Sequence, residues 1–283
     1  MDPVAVTQER SLQDAPRLLD VPTMAAHLRQ RLAATPIQMG PMPHVVVVDI
    51  LPPSTYQLLL EAIPPIEHFS ADDRVKQNWE VSDEYTGSDF CKEVWGSVDR
   101  DWMGGCVLPE VMQAFRDPLF EHYRELFGDE LAPQAMAEQT ARRGRVMLRR
   151  PGYRLKPHRD PMTATMTVLL YLARPGDDSA FGTQLYRVKE DRVPDRSKTY
   201  YPSPELCKQV VDVPFRPNTA LIFINSTGGA HGAGIPKTAP PDLQRYSYQA
   251  YIGLPLGRLA EVLNQLTGDA RARWAPKLFE RRS

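Results

Sequence analysis

Between Arg142 and Leu254 the chain breaks into short β-rich runs, and no other feature limits the fold as tightly. The runs are "RVMLRR", "TMTVLLYLAR", "TQLYRV", "KQVVDVPF", "TALIFIN" and "RYSYQAYIGL", separated by Gly, Pro, Asp and Asn. Valine, isoleucine, threonine and the aromatics suit a pleated surface, and the separators supply turns. Six strands at this spacing predict a sandwich, barrel or jelly roll. The 27 prolines in 283 residues argue against a helical bundle, because proline removes a backbone donor and breaks helix interiors.

The flanks read differently. Residues 1 to about 40 read as helical, and "VPTMAAHLRQRLAA" sets Met24, His27, Leu28 and Leu32 at helical spacing. "PHVVVVDILPP" reads as a strand ended by prolines. "PSTYQLLLEAIPP" follows as a helix, with Ser54 as N-cap and Pro64-Pro65 as the stop. Residues 66 to 108 are polar, with scattered Trp and Gly, and show no assignable period. "PEVMQAFRDPLFEHYRELFG" reads as one or two helices stopped at Gly128, with Asp117-Pro118 as a break. "LGRLAEVLNQLTG" closes the chain as a helix capped by Gly268. The expectation is one α+β domain over 1-283: a helical support with a strand over 1-141, a β core over 142-256, and a C-terminal helix and tail over 257-283.

Charge and cysteine content exclude several classes. A formal net charge of −1 gives no field that would gather nucleic acid or an anionic membrane. The first residues lack the basic-then-apolar order of a signal peptide, and no apolar run approaches the ~20 residues that span a bilayer. Cys91, Cys106 and Cys207 are too few and too scattered for a disulfide framework or a zinc knuckle. A reducing, cytoplasmic setting is expected. Nothing in the sequence bears on oligomeric state.

The chemistry starts at "KPHRDP". Side chains at i and i+2 of an extended chain share a face, so His158 and Asp160 can aim at one point. Pro157 and Pro161 favour that extended backbone. Arg159 between them is expected to point away. An imidazole and a carboxylate suit Fe(II), Mn or Zn. His231, in "NSTGGAHGAGIP", is the candidate third ligand, and its flanking glycines allow close approach. Farther on, Arg245, Ser247, Gln249 and Tyr251 share one face of "RYSYQAYIG". An arginine with a hydroxyl two residues on makes a receptor for a carboxylate.

In this order, "YRLKPHRD", "TVLLYL", "FGTQLY", "NTALIFIN", "HGAGIP" and "RYSYQAYIG" resemble the Fe(II)/2-oxoglutarate-dependent oxygenases, closest to their prolyl-4-hydroxylase-like branch. The likeness covers about 44 to 63 and 142 to 256. It implies a double-stranded β-helix (jelly-roll) core. It also implies iron held by His158, Asp160 and His231, and 2-oxoglutarate held by Arg245, Ser247 and Tyr153. The implied reaction consumes O2, with ascorbate as reductant, and hydroxylates a small molecule or an amino-acid or peptide side chain. Succinate and CO2 are the co-products. Asp160 speaks against the related halogenases, which carry a small residue there. The stretch between His231 and Arg245 is longer than the family's usual loop.

Other features take plainer readings. His27, His44, His68 and His122 lack ligand spacing and are expected at the surface or half buried. "RRGRVMLRRPGYR" holds six arginines in thirteen residues, but a strand splits them between faces, so solvated edges and carboxylate partners are expected. Arg150 and Arg154 are the ones considered for the pocket. "PGDDSAFG" reads as a turn, not a calcium loop. Segments 66 to 108 and 174 to 206 are candidate covers, with Tyr200 and Tyr201 as candidate substrate contacts. Two other functions stay open: a jelly-roll binding protein without catalysis, and a cupin-like metalloenzyme that does not use 2-oxoglutarate.

Overall fold

The computed structural model describes residues 19–70, 73–81, 87–189, 195–275 and 278. Eight strands form the jelly roll. They are β4 (Arg145–Arg149), β5 (Arg154–His158), β6 (Met166–Tyr171), β7 (Thr183–Val188), β8 (Cys207–Val213), β9 (Thr219–Ile224), β10 (Gly229–Gly234) and β11 (Arg245–Gly253). The chain passes repeatedly between two antiparallel sheets. In the larger sheet the order is β9-β6-β11-β4, and in the smaller it is β5-β10-β7-β8. That alternation is the winding of a double-stranded β-helix. Three more strands extend the larger sheet: β1 (His44–Val48) beside β9, β2 (Lys76–Glu80) beside β4, and β3 (Thr140–Ala141) beside β11.

The larger sheet is buried on both faces, which explains its nearly continuous apolar runs. Along β11, Tyr246, Tyr248, Ala250 and Ile252 join Val168, Leu170, Ile222 and Ile224 under a layer of helices. Residues one step out of phase, Met147, Leu169, Tyr171, Leu221 and Phe223, turn inward toward Leu185, Val213 and Phe215 of the smaller sheet and its loops. The period of two thus divides each strand between two cores.

The outer layer comprises α1 (Val21–Ala33), α2 (Pro53–Glu61), α3 (Asp89–Ser97), a ten-residue π-helix (Val98–Val107) and α4 (Leu108–Ala114). Met24, Leu28 and Leu32 of α1 are buried, as their spacing predicts. One apolar cluster runs from Leu19 to Ile252, so support and β core share it. Several termini differ from the sequence reading. Helix α2 begins at Pro53 with Pro52 at the N-cap, because Pro at the first helical position needs no donor, and Ser54 lies inside. The helical stretch after Leu108 breaks at Phe115, and Pro118 falls in the first turn of α5 (Arg116–Phe127), where proline is tolerated; Gly128 stops α5 at φ 87°.

Helices α5, α6 (Ala132–Ala137) and α7 (Leu256–Asn264) form a second cluster around Tyr123, Phe127, Leu259, Val262 and Trp274. Helix α7 ends at Asn264, and Gly268 instead opens α8 (Gly268–Ala272) at φ 53°. Met162, two residues after Asp160, is embedded in this cluster and anchors the turn that carries the carboxylate. Among the described residues, no helix is long and apolar enough to cross a membrane, and the three cysteines are free thiols.

Candidate active site

His158 closes β5, and His231 lies directly opposite it on β10 as its Cα partner. The neighbouring Gly232 makes this pairing possible: a Cβ there would lie 2.9 Å from the Leu155 carbonyl oxygen of β5. Beyond His158 the chain stays extended. Arg159 exchanges backbone hydrogen bonds with Tyr200 at 2.9 and 3.0 Å, and its side chain turns to the Ser226 carbonyl. Asp160 returns to the His158 side, as the i, i+2 spacing requires. The Asp160 Oδ1 is 3.5 Å from His158 Nε2, and Oδ2 is 3.8 Å from His231 Nε2. The three ligand atoms lie within 4.8 Å of one another, and all three residues are buried.

The surroundings set the protonation states. Lys156 presents its carbonyl to His158 Nδ1 at 3.1 Å, which orients the ring with Nε2 toward Asp160. Thr167 donates to Asp160 Oδ2 at 3.0 Å, and Asn225 fixes Thr167 by donating to its hydroxyl at 3.0 Å. Burial pushes the Asp160 carboxyl up, but the His158 ring, His231 and Thr167 outweigh it and hold the group down to about 2. Burial, with His158 beside it, pushes His231 down to about 3. His231 is therefore neutral near pH 7, and its contact with Asp160 is not an ion pair. A neutral His231 and an ionised Asp160 are in the donor states that a divalent metal needs.

The triad opens onto a cavity of about 380 Å³, which Tyr153, Thr183, Tyr201, Arg245, Gln249 and Tyr251 also line. At one end Arg245 Nε and Nη2 and Ser247 Oγ are buried without a close hydrogen-bond partner, with the Tyr171 and Thr183 hydroxyls beside them. Burial pushes the Arg245 guanidinium below its usual range, while Tyr171 and Tyr153 nearby partly offset this. Its carbon stands 4.9 Å from the Phe215 ring centre and 5.3 Å from that of Tyr171, with no carboxylate in contact among the described residues. Unsatisfied buried donors are costly, and an arginine held in this way can receive an anionic group.

Of the site residues read from the sequence, His158, Asp160, His231, Arg245 and Tyr153 line this cavity. His158, Asp160 and His231 converge. Arg245 and Ser247 lie on the inward face of β11, and Tyr153 packs under the Arg149 guanidinium at 5.0 Å. Tyr201 stacks on His158 at 5.5 Å, whereas Tyr200 pairs with Arg159 to the side. "PGDDSAFG" is a turn in which Asp177 and Asp178 accept from nearby backbone amides.

Other expectations fail. Neither Arg150 nor Arg154 lines the cavity; Arg142, Arg145 and Arg149 do, together with Lys76. The outer face of β4 is taken by Val146 and Leu148 against the helices, which turns Arg145 and Arg149 inward. His44 and His122 are buried, not surface residues, because β1 lies between sheet and loop and α5 lies between two packed layers. Thr167, Asn225 and Tyr171 escaped the sequence reading. Only the polar Asn at the end of "TALIFIN" hinted at this support, since an asparagine ending a buried strand needs partners.

No protein-family model matches the chain, and no curated protein matches it. Solved structures do match in outline. A prolyl-4-hydroxylase from Pseudomonas putida is 14% identical over 83% of this chain and 100% of its own, with a TM-score of 0.43. A 2OG-Fe(II) oxygenase family oxidoreductase from Burkholderia pseudomallei is 13% identical over 90% and 94%, with a TM-score of 0.42. HygX from Streptomyces hygroscopicus, with nickel, 2-oxoglutarate and hygromycin B bound, is 11% identical over 75% and 82%, also at 0.42. At such similarity, the jelly roll stands on this chain's own strand pairing and the site on its own side-chain geometry.

Proposed function

We propose that the chain is an Fe(II)- and 2-oxoglutarate-dependent dioxygenase of the prolyl-4-hydroxylase-like kind. The observation that carries the reading is the pairing, in one cavity, of the His158, Asp160 and His231 cluster with the unpartnered Arg245 group. A metal triad alone fits many functions; an anion receptor at the other end of the same cavity fits a ligand that chelates the metal and is anchored at its far carboxylate.

His158, Asp160 and His231 hold the iron in this reading. Bound iron supplies oxygen activation, coupled to decarboxylation of 2-oxoglutarate to succinate and CO2 and to insertion of an oxygen atom into a substrate C–H bond. The protein's own part is orientation. The Lys156 carbonyl orients the His158 ring, and Thr167 and Asn225 fix Asp160. Arg245 meets the distal carboxylate with a bidentate fork, Ser247 completes the hydrogen bond it otherwise lacks, and the Tyr171 and Thr183 hydroxyls stand beside them. Phe215, Leu169 and Met147 keep water from that end. The free thiols fit a reducing, cytoplasmic setting.

Anaerobic titration with Fe(II) and then 2-oxoglutarate tests the reading. A weak visible charge-transfer band on adding both is expected, and its absence overturns the assignment. Arg245→Ala should weaken 2-oxoglutarate binding by about 2–5 kcal/mol, roughly 30-fold or more, with Fe(II) affinity kept.

A further inference from the structure

The charge of the cavity does not close on metal and cosubstrate. Its wall carries Lys76, Arg142, Arg145, Arg149 and Arg245 against one carboxylate, Asp160. A dication and a dianionic cosubstrate offset each other, so the cationic excess persists with both bound. Arg149 is already tied to the Gln77 and Leu148 carbonyls and the Asn78 carboxamide, at 2.7, 3.0 and 3.0 Å.

Arg142 and Arg145 are held differently. Both are oriented by hydrogen bonds to neutral acceptors, which fix direction without cancelling charge; Arg145 has in addition a longer contact to one exposed acid. Arg142 Nη2 donates to the Thr163 carbonyl, and its electrostatic neighbours among the described residues are Tyr123 and Tyr251, not carboxylates. Arg145 donates through Nε and Nη2 to Gln249 Oε1, at 3.0 and 2.6 Å, and through Nη2 to the Tyr251 hydroxyl at 3.3 Å. Its Nη1 also lies 3.8 Å from the exposed Glu80 carboxylate, where solvent screens the pair.

Both guanidiniums sit at the Asp160 end. Thr163 lies three residues past Asp160, and the Tyr251 hydroxyl stands beside the Asp160 carboxylate. Gln249, the Cα partner of Arg145, is four residues along β11 from Arg245, about 13 Å away. The anion receptor at Arg245 and this second cationic group are thus separate, with the triad reachable from both.

We infer that the substrate is a small anionic molecule, a carboxylate or a phosphate ester, whose charged group is held by Arg142 and Arg145. This rests on the dioxygenase reading for the metal and for the occupant of the Arg245 end. A cavity of about 380 Å³ suits a compact ligand.

The test uses the full chain loaded with Mn(II) and saturated with 2-oxoglutarate. Acetate and inorganic phosphate are the probes, followed by paramagnetic relaxation of their nuclei near Mn(II). Saturable relaxation of at least one anion is expected, weakened 10-fold or more in Arg145→Gln and restored to within about 3-fold in Arg145→Lys. The tighter probe distinguishes the two anion types. Arg142→Gln should act similarly; if it fails to fold, the Arg145 pair decides. Absence of saturable relaxation, or equal affinity in wild type and Arg145→Gln, overturns the inference. Binding of 2-oxoglutarate is read separately by calorimetry. If it fails to bind, the probes are repeated in Arg245→Ala without it, so that loss of the cosubstrate reading is told apart from loss of the second anion site.

Discussion

The two sheets of the jelly roll are built on opposite terms. β6 and β9 of the larger sheet, MTVLLY and TALIFI, are buried at every position. Of the smaller sheet, β5 is RLKPH, β10 is GAHGAG, and β8 is largely exposed. Burial on both faces makes the larger sheet a source of stability. The smaller sheet contributes two metal-ligand candidates, from strands with little intrinsic β tendency. The histidine ligand candidates thus come from the smaller sheet, shaped by pairing and glycine, while the larger sheet supplies most of the apolar burial and, on the inward face of β11, Arg245 and Ser247.

This contrast can be broken by substitution. The largest effect expected is from His231→Ala: 2-oxoglutarate turnover, followed as succinate release, should vanish while the thermal midpoint stays close to wild type. Full succinate production would remove His231 from the site. On the other sheet, Ile222→Ala should cost roughly 2–5 kcal/mol of stability in denaturant melts, because Ile222 is fully buried beneath the helices, yet leave metal affinity in the folded protein intact. Loss of both together would show that the layers are not separable.

A subtler change tests the close approach of β10 to β5. Gly232→Ala puts a methyl 2.9 Å from the Leu155 carbonyl, and the strands must part. We expect a cost of about 1–3 kcal/mol and a larger relative loss in metal affinity by competition with a chelator. The smallest effect at neutral pH concerns His122, buried with both ring nitrogens unpartnered. Burial, then Arg159 and Arg196, push it down to about 3 from an ordinary 6.5. Between those values the unfolded chain takes up a proton that the folded one refuses, so wild-type stability falls as pH falls through that window. His122→Leu should flatten the acid limb, by up to about 1.4 kcal/mol per pH unit. An unchanged limb would mean that His122 protonates in place.

Much of the larger sheet was legible because apolar, β-branched runs between turn residues have few other uses. The triad was legible for a narrower reason: His158 and Asp160 at i, i+2 between prolines share a face in any extended backbone. The segment from 66 to 108 was not. Its strand β2 pairs only at the sheet edge, and its π-helix leaves no simple period; Trp95 and Trp102 are buried there by packing against Tyr248. Strand β10 was equally silent, since "GAHGAG" has no propensity to display and exists as a strand through its neighbours.

The sequence alone determined which residues could gather at a metal, and that Arg145 and Arg149 share one face of their strand, because both follow from backbone periodicity. It did not determine which face. By composition, Val146 and Leu148 belong inside and the arginines outside. The tertiary structure reversed that, because helices cover the outer face of the larger sheet and take the apolar side chains, and the arginines are left to line the cavity. Whether a charge faces solvent or a ligand depends on what packs against the opposite side of its strand, and no local pattern carries that information.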